Sequence, residues 1–191
     1  MTTVFGDFVE PKAGSGEYLK IGFYPDSIPL QQRWRNNGLS ADFLAGYVST
    51  FFPGDDAASS DRQAEIKDAI SFIANELLEN AMKFNHGSGR HVVSIEMFLE
   101  AGTIDIYTTN VFDPSRSEAF QRFIERMLTE DTIELYAEQI ESNAGDDRKG
   151  ASGLGFLTIL NDYGAALAWK FTDGTEDGEG NNVTTMVRLL V

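Results

Sequence analysis

Three polar side chains recur at helical spacing within residues 75–89, NELLENAMKFNHGSG. Glu76, Asn80 and Lys83 lie three or four residues apart, so a helix would place them along one stripe. A carboxylate can accept a proton, an amide oxygen suits a hard cation such as Mg²⁺, and an ammonium group neutralises phosphate. The stripe is therefore a candidate site for a magnesium-bound phosphate. The alternative is a solvated helix face on which Glu79 and Lys83 form an ordinary ion pair.

A second candidate is the glycine-rich segment 150–156, GASGLGF, which lies between a polar loop and an apolar helical pattern. The N–H groups at a helix N-terminus and the helix dipole attract anions, and glycines let the backbone approach phosphate oxygens closely. The segment is typical of a phosphate-binding loop. By itself it is equally compatible with a flexible connector that caps a helix.

Together the two segments resemble a known family. ELLENAMKFNHG resembles the N box of the GHKL (Bergerat-fold) ATPases, and GASGLGFLTILNDYG resembles their second glycine box with the helix behind it. The order of the elements over roughly residues 61–191 is similar too, and NAMKFNHG most resembles the anti-sigma-factor serine kinases. The resemblance implies a bacterial serine/threonine protein kinase that uses ATP and Mg²⁺. Its partner would be a small regulatory protein of the STAS (anti-anti-sigma) type.

The resemblance also implies roles for individual residues. Glu76 matches the family's catalytic carboxylate, Asn80 matches its magnesium ligand, and Lys83 matches a cation that some members place on phosphate. The loop 142–152 would be the nucleotide lid, in which Arg148 and Lys149 are either phosphate contacts or plain solvated cations. The glycine box that wraps the triphosphate corresponds to Gly150, Gly153, Leu154 and Gly155.

One position departs from the family pattern. The family's first glycine box has an aspartate that accepts a hydrogen bond from the adenine amino group, but IDIYTTNVFDP has Thr108 there and Asn110 at the first glycine. Either side chain can accept a hydrogen bond, and Asp113 can serve if the loop is shifted. If none does, the unpaired polar group costs about 1 to 3 kcal/mol, and nucleotide binding is weak or not selective for adenine. The alternative function is therefore a degenerate GHKL domain, a non-catalytic protein-binding regulator with weak or no nucleotide binding.

Hydrophobic periodicity predicts the framework that positions these residues. Residues 17–24 alternate as a strand, residues 25–56 look helical in pieces, and a helix is predicted from Asp61. Ser115 and Glu118 predict a capping box, and a further helical stretch spans 130–142. The apolar stripe of the helix that starts at Asp61 comprises Ile66, Ile70, Ile73, Leu77 and Phe84. The remaining segments, HVVSIEMFL, TIDIYTT, AALAWKF and NNVTTMVRLLV, read as strands, with FLTILNDYG as a helix.

This order of elements predicts an α+β fold, a two-layer α/β sandwich of the GHKL type. Its mixed, mostly antiparallel sheet would be covered by helices on one face. We expect one domain over 1–191, with an N-terminal strand and helical extension at 1–60. The ATPase-like core would span 61–191 and carry a helical insert at 115–142.

Composition limits the possible partners. The 191 residues include 15 basic and 30 acidic side chains, a net charge of −15 that disfavours nucleic acid and anionic lipid. Cysteine is absent, the N-terminal MTTVFGDFVEPKAG is unlike a signal peptide, and no window is apolar enough for a membrane span. We expect a soluble cytoplasmic protein that contacts neither membrane nor nucleic acid. The resemblance leaves a homodimer open, because the family often dimerises.

Overall fold

The computed structural model describes residues 1–11, 16–24, 30–86, 92–144, 153–174 and 181–191. These residues form six strands and five helices. The strands are β1 (Thr2–Phe5), β2 (Glu17–Phe23), β3 (Val93–Glu100), β4 (Thr103–Val111), β5 (Ala166–Thr172) and β6 (Asn182–Leu190). The helices are α1 (Leu30–Ser49), α2 (Ala57–Phe84), α3 (Pro114–Thr129), α4 (Thr132–Ala144) and α5 (Leu154–Asp162). None of the described helices combines the length and the apolar character that crossing a membrane requires.

All six strands join one sheet in the order β1-β5-β6-β4-β3-β2, and every neighbouring pair is antiparallel. The predicted antiparallel character is confirmed, but the described sheet contains no parallel pair. Strand β1 was not predicted. It forms one edge of the sheet by pairing Thr2 with Thr172 and Phe5 with Trp169 of β5.

The five helices pack on one face of this sheet, so the predicted two-layer α+β arrangement is confirmed. Buried residues of every helix and of the facing strands belong to one apolar core. In α2 the predicted stripe is buried at Ile66, Ile70, Ile73 and Leu77. Phe84 was wrongly assigned to this stripe, because it lies in the last turn and is 38% exposed.

Residues 30–49 form the single helix α1 rather than helical pieces, and it packs along α2. Its inner face buries Ala41, Leu44, Ala45 and Val48. This packing explains part of the apolar, aromatic content of the region. Leu39 and Phe43 on the same helix remain 60% and 57% exposed.

Two helix starts differ from the prediction, and the caps explain why. Helix α2 begins at Ala57 rather than Asp61, because the Asp56 carboxylate accepts a hydrogen bond from the Ser59 N–H while the Ser59 hydroxyl accepts from the Asp56 N–H. The predicted capping box at Ser115 is wrong. Asp113 is the N-cap of α3, and its carboxylate accepts hydrogen bonds from the Ser115 N–H and hydroxyl at 2.9 and 2.7 Å.

The face of the sheet turned away from the helices carries a small aromatic cluster. Phe98, Tyr107, Ala168 and Met186 are buried there beneath the side chains of Phe8 and Val9. The chain that follows β1 is held in place by the Tyr107 hydroxyl, which donates to the Val9 carbonyl at 2.9 Å. On the same face, Asp105 accepts two hydrogen bonds from the Arg188 guanidinium at 2.7 and 2.6 Å.

Candidate functional site

A cleft of about 610 Å³ opens between the end of α2, the helix α3 and the sheet, and we call it the main cleft. It is lined by Asn80 of α2, Thr108 and Asn110 of β4, and Gly153 just before α5. These four predicted site residues come from three segments that are distant in sequence. The structure therefore brings together parts of both motifs and the strand between them.

The sheet forms the floor of the main cleft. Thr108 and Asn110 point to the same face because side chains alternate along a strand, and they pair with Thr185 and Val183 of β6. The two threonines are only 2% and 7% exposed, and Asn110 is 5% exposed. The Asn110 Nδ2 donates to the Val111 carbonyl at 3.0 Å, and no residue in the described ranges donates to its Oδ1.

Aromatic rings form much of the wall. Phe120 of α3, Phe156 of α5 and Phe171 of β5 all line the main cleft. Phe120 lies 6.3 Å from Phe156 in a stacked arrangement and 6.0 Å from Phe171 edge to face, between ring centroids. A polar floor with apolar and aromatic walls is typical of sites that bind a flat organic ring.

Basic side chains line the same cleft, although the protein is strongly acidic. Lys83, His86 and Arg116 all contribute to its lining. Within the described ranges, neither Lys83 nor Arg116 forms a salt bridge. The His86 Nδ1 lies 3.9 Å from the Asp113 carboxylate, whose pKa is lowered mainly by the Ser115 hydroxyl and N–H. The cleft therefore combines an apolar interior with Lys83 and Arg116, two cations that form no salt bridge with the described residues, and with the Asp113 carboxylate.

Asn80 is positioned by the end of α2, which is tied to the end of β4. The Asn85 side-chain oxygen accepts from the Val111 N–H at 3.1 Å, and the His86 N–H donates to the Val111 carbonyl at 2.9 Å. Asn80 is half-buried, and its amide has no hydrogen-bond partner in the part of the chain that the structure describes. Its oxygen is thus available to a ligand.

Glu76 lies in a second depression, which we call the side groove. This groove of about 590 Å³ separates α2 from α5 and is lined by Glu76, Glu79, Lys83, Leu154 and Gly155, among others. Glu76 does not line the main cleft, whereas Lys83 lines both. Burial raises the pKa of the Glu76 carboxyl, the charge of Glu79 raises it further, and Lys83 opposes the shift.

Glu76 occupies the space in which a side chain at position 155 would begin, so Glu76 in its present position is compatible only with glycine there. A Cβ at Gly155 would overlap the Glu76 Oε2 and lie 2.7 Å from its Cδ. The Glu79 side chain instead makes a hydrogen bond within α2, in which its Oε1 accepts from the Asn75 amide at 3.0 Å. Both Glu79 and Lys83 are described, and no salt bridge joins them, so the alternative of an ordinary ion pair between them is wrong.

Gly153 also occupies a position that excludes other residues. Its φ is 90°, in the left-handed region, and an added Cβ would lie 2.6 Å from the Phe123 ring. The remaining predicted glycine, Gly150, lies outside the described residues, as do Arg148 and Lys149 and most of the predicted lid 142–152.

Sequence reasoning did not find Thr185, Arg116 or the aromatic wall of the main cleft. The segment NNVTTMVRLLV predicts a strand, but only the pairing register shows that Thr185 rather than Thr184 faces the helices. In the described ranges, no group of three or more His, Cys, Asp or Glu side chains is arranged to hold a metal ion. No protein-family model matches the chain, and no curated protein matches it either.

Proposed function

We propose that the protein binds ATP with Mg²⁺ in the main cleft and is a GHKL-type serine/threonine protein kinase. Its substrate would be a small bacterial regulatory protein of the STAS type. The observation that carries this proposal is the convergence of Asn80, Thr108, Asn110 and Gly153 on one cleft. The two resembling motifs supply the first and the last of these residues.

The shape and charge of the cleft support a nucleotide. A volume of about 610 Å³ lies within the usual range for small-molecule sites. A base would pack against the partly exposed ring of Phe120, while the phosphates would lie near Lys83 and Arg116. These two cations have no salt-bridge partner among the described residues, so a phosphate would supply their missing counter-charge.

The residues present fit a magnesium ion that arrives with the nucleotide. Mg²⁺ commonly takes only one or two protein oxygens and completes its shell with phosphate oxygens and water. The Asn80 amide oxygen, free of protein partners in the described ranges, suits this role. When bound, the ion would neutralise phosphate charge.

Glu76 is the proposed base. It lies one helical turn before Asn80, and its pKa is raised mainly by burial, which makes it a better proton acceptor near neutral pH. The acceptor serine or threonine oxygen would form a bond to the γ-phosphorus, ADP would leave, and the hydroxyl proton would pass to Glu76. The side groove, which Gly155 keeps open for this carboxylate, is where the acceptor segment would enter.

One observation favours the alternative, a degenerate GHKL domain that regulates a partner protein without catalysis. Glu76 lines the side groove and not the main cleft, so a nucleotide in the cleft need not meet the base. If the protein is such a regulator, the exposed Leu39 and Phe43 of α1 would provide apolar contacts for the partner protein.

The first test detects nucleotide binding by its effect on the thermal and chemical denaturation of the protein. Mg-ADP or Mg-ATP at a hundredfold excess over its dissociation constant should stabilise the protein by about 2.7 kcal/mol. Asn80→Ala should lose most of this gain. Asn75→Ala, the same change on the same helix but outside the main cleft, should retain it. If no nucleotide stabilises the wild type, the nucleotide-binding proposal is wrong.

The second test separates the two functions. Labelled ATP should transfer its γ-phosphate to a purified STAS protein in the presence of the wild type, and Glu76→Gln should abolish transfer while leaving binding intact. Nucleotide binding without transfer to any of a panel of STAS proteins would favour the non-catalytic regulator. Transfer by Glu76→Gln at the wild-type rate would exclude Glu76 as the base.

A further inference from the structure

Two buried hydroxyl groups face the interior of the main cleft without a protein partner. Thr108 and Thr185 are directly paired across β4 and β6, and both line the cleft. Within the described chain, neither hydroxyl makes a hydrogen bond. Neither is among the polar atoms that are both fully inaccessible and without a partner, so both can be reached from the cleft. Buried polar groups normally have partners, so these two hydroxyls are available to a ligand.

The neighbouring threonine pair, on the opposite face of the sheet, differs because its hydroxyls do have a partner. Thr109 and Thr184, the adjacent residues on the same two strands, point to the opposite face and satisfy each other through a hydroxyl–hydroxyl bond of 2.9 Å. The same pair of residue types is thus satisfied on one face and left open on the other. The open pair lies beside the aromatic wall, where a stacked ring would present its polar edge.

The chemistry of a hydroxyl determines which edges it can recognise. A threonine hydroxyl rotates and can donate or accept, whereas a carboxylate only accepts. The exocyclic group of adenine is an N–H donor, and the corresponding group of guanine is a carbonyl acceptor. Two rotatable hydroxyls can satisfy either purine, and a fixed carboxylate would favour adenine and repel the guanine carbonyl.

Asn110 does not remove this tolerance. Its Nδ2 donates to the Val111 carbonyl, so the amide group that remains without a described partner is the Oδ1 acceptor. Both purines carry N–H groups that can donate to such an oxygen. The aromatic wall adds stacking, which every base can supply through its ring face.

Resting on the proposed nucleotide-binding function, we propose that Thr108 and Thr185 read the base of the nucleotide and that the cleft binds adenine and guanine nucleotides with similar affinity. The cleft accepts either purine because the two hydroxyls at its floor can each donate or accept a hydrogen bond, whereas a carboxylate could only accept one. Thr185 is thereby assigned as a second base-reading residue, on a different strand from Thr108.

Titration calorimetry on the full chain with Mg-ADP and with Mg-GDP tests this proposal. The two dissociation constants should agree within about threefold, since either base satisfies the same hydroxyls. Thr108→Val and Thr185→Val, which keep the shape and remove the hydroxyl, should each weaken both nucleotides by roughly three- to tenfold. Thr109→Val and Thr184→Val are the matched controls, and both should bind like the wild type. Thr108→Asp should create a preference for ADP of about tenfold or more.

The outcomes are distinguishable. A wild type that prefers one purine by more than tenfold overturns the inference but not nucleotide binding. Unchanged affinities in both Thr108→Val and Thr185→Val, with folding verified by circular dichroism, overturn the base-reading assignment. If neither nucleotide binds at all, the proposed function itself fails and this inference falls with it.

Discussion

The contact between Glu76 and Gly155 gives a prediction whose size can be worked out from the structure. Exchanging glycine for alanine inside a helix normally stabilises by about 1 kcal/mol. At Gly155 the new methyl group would overlap the Glu76 carboxylate, and moving this flexible side chain into a less favourable rotamer costs about 0.5 to 1.5 kcal/mol. The two effects oppose each other, so Gly155→Ala should change the free energy of unfolding by no more than about 0.5 kcal/mol in either direction.

The same substitution should behave differently when Glu76 has been shortened. In a Glu76→Ala background the overlap is gone, and Gly155→Ala should raise the free energy of unfolding by about 1 kcal/mol. The coupling between the two sites should therefore be about 0.5 to 1.5 kcal/mol. Gly46→Ala is the matched control, because an added Cβ at this position in α1 meets nothing within 4 Å. It should stabilise equally in both backgrounds.

Urea denaturation of the wild type, the two single variants and the double variant measures this coupling. Phosphoryl transfer, if present, should fall in Gly155→Ala even where stability is unchanged, since Glu76 has been displaced from the side groove. Equal effects of Gly155→Ala with and without Glu76 would refute the reasoning, because they would mean that the carboxylate does not occupy the space above Gly155.

Three further predictions concern stability. Gly153→Ala should lower the free energy of unfolding by about 2 to 4 kcal/mol, since it adds overlap with a phenylalanine ring to a left-handed backbone. Gly102→Ala, with φ 84° and an ordinary contact of 3.9 Å to the Val191 carbonyl oxygen, should lower it by about 1 to 2 kcal/mol. Equal losses in urea denaturation would contradict this. Asp105→Asn should lower it by about 3 kcal/mol, because Arg188 loses a buried carboxylate partner, and a loss below about 1 kcal/mol would show that the pair is solvated. Burial raises the folded-state pKa of Glu76 above 4.5, so the folded protein favours the neutral carboxyl. The stability that this neutral carboxyl contributes is fully present below pH 4.5 and is lost as the pH rises through the raised pKa. Glu76→Gln should therefore gain stability relative to the wild type as the pH rises above 4.5, and a difference independent of pH would exclude the burial effect.

Part of the fold was predictable because local patterns dominate it. The apolar period in α2 runs from Ile66 to Leu77, and the alternation in β3 and β4 is equally regular. The start of α2 was not predictable from this period, because the residues around Asp56 and Ser59 are polar and only their reciprocal hydrogen bonds fix the helix start. Strand β1, with the sequence TTVF, is too short to show an alternation and depends on its pairing with β5.

The candidate-site residues that belong to the two motifs were predictable from the sequence, whereas those that depend on strand register were not. Asn80 and Gly153 follow from the two motifs, and both line the main cleft. The hydroxyl floor depends on the register of β6 against β4, in which a slip of one residue would exchange Thr185 for Thr184. The separation of Glu76 into the side groove depends on how α5 packs on α2, and helix packing is a tertiary property that one motif does not encode.

The pairing of β1 with β5 has a consequence for how the molecule is made. Thr2 pairs with Thr172, so β1 has no strand partner until β5 has been synthesised. Until β5 and β6 join the sheet, the aromatic cluster lacks Ala168 and Met186, so Phe98 and Tyr107 are incompletely packed. Late completion of this face of the sheet would therefore leave apolar surface exposed during synthesis, and such surface favours aggregation until β5 and β6 have joined the sheet.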